Sequence, residues 1–446
     1  MLHSLLKLPD IYWSDDGSRP AVLPGDAELS AVALASLRGQ FSLAGSQADD
    51  RVVCVRDRLG INKLFFAVHE SGRVIVANYL IDLVDHGIPF DAIYSVPAGH
   101  VVELDVVRRR LSLRPYARLD DGPLEGAPLR VLAREIRSGL ELWFSRLSEE
   151  LRSRPVCVCL SGGLDSSLIA ALAARYLTNV TAYTYGYVDT GPPESEDASY
   201  ALRVAECLGL PYRFVPASRR DILDALEAAI CFGQDWRDFN VHCAIVNEII
   251  ARVVADDARQ HARSGRQVAL TGDLMNELLA DYTPVSLNGQ QYYRLPRLRP
   301  GALRAVLVRG LDAGDREVGV FHRHGVDVLQ PYGLVAEKLM GLPEPVIAGE
   351  QAKRELFREV AGDLIPPFVF DRRKVRAQVG SSERPIGVLP VLAEQGCDAA
   401  WLKRAFCRIF RVPREGFLTD FIRAGRYRFL TAFPQEGRVT DGYFSD

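Results

Sequence analysis

The sequence predicts an α/β protein, a parallel sheet with flanking helices preceded by a small β-rich domain. Three observations carry this reading. From residue 129 onward, apolar runs of strand length alternate with segments of helical apolar spacing, the signature of a parallel sheet covered on both faces. Residues 1 to about 115 read instead as short strands divided by turn chemistry. Between them, Asp120-Asp-Gly-Pro-Leu-Glu-Gly-Ala-Pro128 combines Pro, Gly and acidic residues and is the best linker candidate. We therefore divide the chain into 1–120 and 129–446.

The elements follow in order. RVVCVRD (51–57), LFFAV (64–68) and RVIVAN (73–78) are apolar or alternating runs separated by the turn segments DRLGINK and HESG. After SVPA, the pair GHVVELDV and RLSLRPY (99–106 and 110–116) completes the β-rich part. LRVLAREIRSGLELWFSRLSEEL (129–151) has apolar residues at helical spacing over about six turns. PVCVCL (155–160) is a continuous apolar run, hence a buried strand, followed by SGGLDSS and the helix LIAALAARYL. VTAYTYGY, YRFVPA and QVALTG predict three more strands. SYALRVAECLGL, ILDALEAAICFG and the stretch from HCAIVNEIIARVV to about Ala262 predict the helices between them. Beyond residue 300 the pattern is mainly helical, broken at Pro366-Pro367-Phe368, and no internal repeat is visible.

Composition narrows the function classes. With 54 basic and 57 acidic residues, the net charge of −3 lacks the basic footprint of a nucleic-acid-binding protein. No run approaches the roughly 18 apolar residues that span a bilayer. The opening MLHSLLKLPDIYW has one Lys, no long apolar core and no small-residue cleavage site, so a cytoplasmic protein without a secretory signal is expected. The eight cysteines form no C-x-x-C pair and are expected to be buried thiols. Lysine is rare, six among the 54 basic residues, which makes each one worth inspecting.

The sharpest signal is Ser161-Gly162-Gly163-Leu164-Asp165-Ser166-Ser167 between a buried strand and a helix. In an open parallel sheet, ligands bind at the carboxyl ends of the strands. Two glycines let the backbone curl its N–H groups inward as an anion nest, and the helix N-terminus adds positive potential. Ser161, Ser166 and Ser167 add hydroxyl donors, and Asp165, which alone would repel phosphate, suggests a bridging Mg²⁺. The plain alternative is a Gly-rich turn with an Asp N-cap.

This segment resembles the PP-loop of the ATP pyrophosphatases, and more closely that of the asparagine synthetase and β-lactam synthetase family. RVVCVRDRLGINKLFF and SVPAGHVVEL resemble that family's N-terminal glutaminase-type domain, an Ntn-type fold. QVALTGDLMNELLADY, HRHGVDVLQPYGLVAEKLM and AKRELFREVAGDLIPPFVFDRRKVRAQVGSS resemble its later segments, in the same order. The resemblance implies ATP as the nucleotide, contacted by Leu160, Ser161, Gly162, Gly163, Asp165, Ser166, Tyr185, Thr271 and Gly272. It implies Asp165 and Asn276 as Mg²⁺ ligands, and Lys374 as a cation that stabilises charge on the α-phosphate and the acyl oxygen.

The departures are informative. Glutamine-dependent members carry a cysteine directly after the initiator Met, whereas this sequence reads Met1-Leu2-His3 and its first cysteine, Cys54, lies inside a predicted strand. A thiol without a poised base is not an activated nucleophile, so residues 1–120 are expected to be an inactive glutaminase-like domain. Asp273 stands where the family has Glu or Tyr, Asn276 where it has Asp, and Leu329 where it has Arg. Glu277 follows Asn276 and offers a nearby carboxylate. These changes argue against aspartate as the substrate.

The expected reaction is ATP-dependent amide formation. A carboxylate is adenylated with release of pyrophosphate, and an amine or ammonia then displaces AMP, with Asp273 or Glu277 orienting or deprotonating the amine. The expected partners are small-molecule carboxylate and amine substrates, in specialised metabolism such as antibiotic biosynthesis, with a homodimer left open. An intramolecular, lactam-forming reaction is the first alternative, and a non-catalytic nucleotide-binding paralogue the second. A sulfur-transfer or tRNA-modifying enzyme would call for a catalytic cysteine pair and a basic RNA face, and neither is visible.

Overall fold

The computed structural model describes residues 2–14, 34–47, 51–108, 110–117, 127–188, 195–260, 266–281, 284–293, 297–311, 314–347, 350–380, 384–415 and 418. Most of the linker proposed at 120–128 lies outside the described residues. The chain separates into two compact units. One comprises Met1–Leu119 with Val308–Asp315 and Lys403–Asp446, the other Asp120–Leu307 with Arg316–Leu402.

The first unit is β-rich. An antiparallel sheet runs Arg110–Pro115, His100–Asp105, Arg51–Arg56, Ser42–Gln47. A second sheet runs Leu2–Leu5, Val74–Ala77, Phe65–Val68, Tyr94–Ser95. Side chains alternate across a strand, so Arg51–Arg56 divides its apolar residues between two faces. Val52 and Cys54 pack with Leu64, Phe66, Val74 and Val76, whereas Val53 and Val55 pack with Phe41 and Leu37. The turn predicted at DRLGINK is built around Asp57, whose carboxylate accepts the backbone N–H groups of Leu59, Ile61 and Asn62 at 2.9–3.1 Å. Arg56, fully buried, donates to the carbonyls of Gly60, Asn62 and Val96 at 2.7–2.9 Å. Charged residues fix this loop because every polar atom they bring inside finds a backbone partner.

The second unit holds a five-stranded parallel sheet. Its strands are β1 (Val156–Cys159), β2 (Val180–Tyr187), β3 (Tyr212–Ala217), β4 (Gln267–Leu270) and β5 (Val326–Leu329), in the order β3-β2-β1-β4-β5. Four of them are the runs predicted from the sequence. The fifth corrects the mainly helical reading beyond residue 300. β5 is only four residues long and carries Asp327, which is 3% exposed yet held by Arg154 and Arg266. A buried charge supplied with two guanidinium partners can sit in a strand whose local sequence advertises little.

Helices α1 (Leu129–Glu150), α2 (Leu164–Tyr176), α3 (Glu196–Leu208), α4 (Arg219–Gly233) and α5 (Asp238–Gln260) follow the predicted helical segments. α4 begins at a capping box in which Ser218 and Asp221 satisfy each other's backbone N–H groups. A short helix α6 (Met275–Leu278) follows β4, and α7 (Val318–His322) precedes β5. Then come α8 (Glu350–Ala361) and α9 (Phe368–Asp371). The order switches direction at β1, whose neighbours β2 and β4 lie on opposite sides. In open α/β sheets the crevice at such a switch point is where ligands bind. Among the described residues, no helix is long and apolar enough to cross a membrane.

Candidate active site

The loop after β1 adopts the curl its glycines predict. Gly162 has φ +73°, and a Cβ there would lie 2.7 Å from the backbone nitrogen of Ala201 and the Cβ of Tyr200 on α3. Both the left-handed backbone and the close approach therefore call for glycine. Gly163, rather than Asp165, is the N-cap of α2, and Asp165 lies in the first turn. Ser166 Oγ accepts the N–H of Ser161 at 3.1 Å and sits 3.0 Å from Ser161 Oγ. The two serines thus set the loop's shape as well as lining it. The Ser167 side chain is fully buried beneath the loop.

The second loop comes from β4. Thr271 donates to Glu317 Oε2 at 2.7 Å, and Gln330 donates to the same oxygen at 2.8 Å. Gly272 lets this loop press on the first, since a Cβ there would sit 2.8 Å from the Ser166 nitrogen. Arg316 Nη2 bridges Asp273 Oδ1 at 3.2 Å and Glu277 Oε1 at 2.8 Å. Glu277 is 3% exposed and Asp273 28%. Burial raises the Asp273 carboxyl above its ordinary range, against the pull of Arg316.

Two lysines close the site. Lys353, from α8, donates to Asp165 Oδ2 at 2.7 Å and Asp281 Oδ2 at 3.1 Å. Lys374, beyond α9, donates to Asp281 Oδ2 at 2.6 Å, the Asp281 carbonyl at 2.8 Å and Asn276 Oδ1 at 2.9 Å. Burial and the neighbouring Lys353 ammonium lower Lys374 to about 8, with Asp281 pulling the other way. Burial opposes the charge on Lys353, yet Asp165 and Asp281 keep its pKa above the usual lysine value. Asp281, although buried, is held at about 2 by the two ammonium groups.

Arg372 ties the C-terminal segment to the loop. Its Nη1 donates to the Ser161 carbonyl at 2.6 Å, its Nη2 pairs with buried Asp197, and its guanidinium stacks 4.6 Å from the Tyr200 ring. These groups surround one cavity of about 250 Å³. Ser161, Gly163, Asp165 and Ser166 line it from the first loop, with Leu160 and Tyr185 at the strand ends. Thr271, Gly272, Asp273 and Asn276 line it from the second loop, and Lys374 from the C-terminal segment. Gly162 supports the first loop from behind, and Glu277 sits behind Arg316. Phe239, Cys243, Val246 and Ile250 of α5 supply an apolar wall.

The donor set suits a metal-bound polyphosphate. Asp165 Oδ1 is buried and accepts no hydrogen bond among the described residues, so a carboxylate oxygen is left for a cation. No group of three or more His, Cys, Asp or Glu side chains converges as a metal site among those residues, so any ion here would share its coordination with the ligand.

Sequence reasoning missed Lys353, Asp281, Arg316, Glu317 and Arg372. Lys353 carried one usable signal, as one of six lysines. Cys54 is fully buried and its thiol is pushed up to about 12. The cysteines are all free, but Cys207 is exposed, which departs from the uniform burial expected.

Known proteins resemble the segment that contains these loops. Residues 149–317 match the Asparagine synthase family model. A putative glutamine-hydrolyzing asparagine synthetase of Mycobacterium bovis is 26% identical over 358 residues, covering 72% of this chain and 51% of that protein. Asparagine synthetase 1 of Saccharomyces cerevisiae is 26% identical over 264 residues, covering 52% of this chain and 43% of the yeast protein. The chain thus spans about half the length of the curated relatives it matches. The solved NMN synthetase of Francisella tularensis aligns over 67% of this chain and 98% of its own, with 14% identity and a TM-score of 0.31. The likeness to asparagine synthetases is thus carried by residues 149–317, the segment that holds both the Ser161–Ser167 and the Thr271–Asp273 loops.

Proposed function

We propose that this chain is an ATP-dependent C–N ligase that adenylates a carboxylate and passes the acyl group to an amine or ammonia, releasing AMP and pyrophosphate. The observation that carries this reading is the convergence of Lys353 and Lys374 on Asp281, with Lys353 also pairing Asp165 in the loop at the carboxyl end of the central strand. Backbone N–H groups, a helix N-terminus and two ammonium groups together make a seat for pyrophosphate.

In the first step the substrate carboxylate oxygen attacks the α-phosphorus, and the bond to the β-phosphate oxygen breaks. Pyrophosphate leaves into the loop, while Leu160 and Tyr185 border the nucleotide. Lys374 faces the charge that accumulates on the α-phosphate oxygens. Asp165 and Asn276 would hold Mg²⁺, which when bound offsets the charge of the departing pyrophosphate. In the second step the amine lone pair attacks the acyl carbon, a proton passes from nitrogen to Asp273, and the carbon–oxygen bond to AMP breaks. Of Asp273 and Glu277, Asp273 is the one that lines the cavity, and its raised pKa makes it the better proton acceptor. Glu277 holds Arg316 from behind.

The apolar face of α5 in the cavity wall favours an acid other than aspartate, in keeping with specialised metabolism, and Leu329, where the resembled family has Arg, lies buried in β5 outside the cavity lining. The test is ATP–pyrophosphate exchange with Mg²⁺, screened across carboxylic acids of graded polarity and length. Exchange that appears only with particular acids is the expected result. ATP turnover to ADP and phosphate, with no exchange for any acid, overturns the proposal.

A further inference from the structure

Asp281 follows α6 through a turn in which its own N–H donates to the Asn276 carbonyl at 2.8 Å. Its side chain is 7% exposed. One carboxylate oxygen, Oδ2, receives both Lys353 at 3.1 Å and Lys374 at 2.6 Å. Asn276 Oδ1 approaches the same two ammonium groups at 3.5 and 2.9 Å, but as a neutral amide. Positions 276 and 281 therefore offer oxygens to one pair of cations, and only position 281 brings charge.

We propose that Asp281 is a positioning residue: it fixes both ammonium groups at the cavity wall and shares Lys353 with Asp165. Without it, Lys353 would fall wholly on Asp165 Oδ2, and Lys374 would keep only neutral oxygens. Asp165 would then be engaged by a lysine when the incoming anion and its cation need it. The same geometry makes the charge transferable, because a carboxylate at 276 would meet the same two ammonium groups.

This inference rests on the reading of the cavity as a pyrophosphate seat, so its test measures binding directly. Inorganic pyrophosphate is titrated calorimetrically, both with Mg²⁺ and without it in EDTA, into the full chain and into Asp281→Asn, Asn276→Asp and the double variant. The metal-free titration, on which the outcomes below are read, separates charge toward the two lysines from any role of position 276 toward Mg²⁺. Thermal unfolding is recorded for each. Asp281→Asn should weaken binding at least about tenfold, although it removes a negative charge from an anion site. The double variant should recover to within about threefold of the parent. Unchanged or tighter binding in Asp281→Asn makes Asp281 a bulk counter-charge and overturns the proposal. A double variant as weak as the single one, at equal melting temperature, overturns it too. If Asp281→Asn does not fold, the double variant alone decides, and it must bind like the parent. Failure of the parent to bind pyrophosphate would instead sink the proposed function.

Discussion

Gly272 and Ser166 belong to loops more than 100 residues apart in sequence, yet a Cβ on Gly272 would lie 2.8 Å from the Ser166 nitrogen. It would also lie 3.0 Å from the Asp165 carbonyl carbon. Both are backbone atoms at the start of α2 and cannot rotate away. Gly272→Ala should therefore push the two nucleotide loops apart, at a cost of about 1–3 kcal/mol if the strain is absorbed locally. ATP binding measured by calorimetry is expected to weaken at least tenfold, with a smaller effect on melting. Unaltered ATP affinity would show that the loops have room that the contact denies.

Among the described residues, Arg372 and Asp197 make the most deeply buried ion pair near the site, at 4% and 3% exposure. Burial pushes the Asp197 carboxyl up, and Arg372 opposes that shift. Removing one partner strands the other charge, a loss of about 3–5 kcal/mol for a buried pair. Arg372→Ala should lower stability in urea unfolding by an amount of that order, and Arg372→Leu combined with Asp197→Leu should recover a large part. If the single variant costs no more than a surface pair, the guanidinium only anchors the Ser161 carbonyl.

Residue types carried much of this site, and placement carried the rest. Seven residues from Ser161 to Ser167 were legible because local chemistry decides a strand–loop–helix turn. Lys374 stood out because the stretch around it resembles the C-terminal segment of the asparagine synthetase and β-lactam synthetase family. Lys353 did not, since GluGlnAlaLysArgGluLeu in α8 reads like an ordinary solvated helix face. Only the packing of α8 buries that ammonium to 5% exposure against Asp165 and Asp281. Asp281 likewise reads as an acid beyond a helix end, and its partners lie 72 and 93 residues away. The β5 strand stayed hidden for the same reason, because Arg154 and Arg266 that neutralise Asp327 are remote in sequence.

The β-rich unit should not hydrolyse glutamine through Cys54. Burial raises that thiol to about 12, so almost none is thiolate at neutral pH. The expected result is no glutamate released from glutamine, and no alkylation of Cys54 by iodoacetamide under native conditions. Glutamate release above the blank, abolished by Cys54→Ser, would refute this.

His242 is 1% exposed, with Nδ1 2.8 Å from the Tyr293 hydroxyl, and burial lowers its pKa to about 3. In the unfolded chain a histidine titrates near 6.5. Between these values the unfolded state binds the extra proton, so this group's contribution to stability is full above about pH 6.5 and is lost as pH falls toward 3. From pH 7 to pH 5 the loss amounts to roughly 2 kcal/mol. His242→Phe should be less stable at pH 7, through the lost hydrogen bond, but should show a shallower decline on acidification. Parallel stability–pH curves for the two proteins would mean that His242 takes up a proton in the folded state.

Lys374 should matter for both half-reactions. In the proposed reaction charge would build first on the α-phosphate oxygens and then on the acyl oxygen, and a long ammonium side chain can face each in turn. In the proposed reaction Lys353 and the loop amides would hold pyrophosphate independently, so Lys374→Ala is expected to lower kcat by about 10²–10³ with little change in the KM for ATP. Lys374→Arg should recover little. The Lys374 ammonium donates to Asn276, the Asp281 carboxylate and the Asp281 carbonyl at 2.6–2.9 Å, a compact three-donor geometry that a planar guanidinium fork does not reproduce. Exchange and amide-forming rates measured with the acid that supports exchange would check this. If Lys374→Ala raises only the KM for ATP, the lysine binds the ground state and the assigned role is wrong.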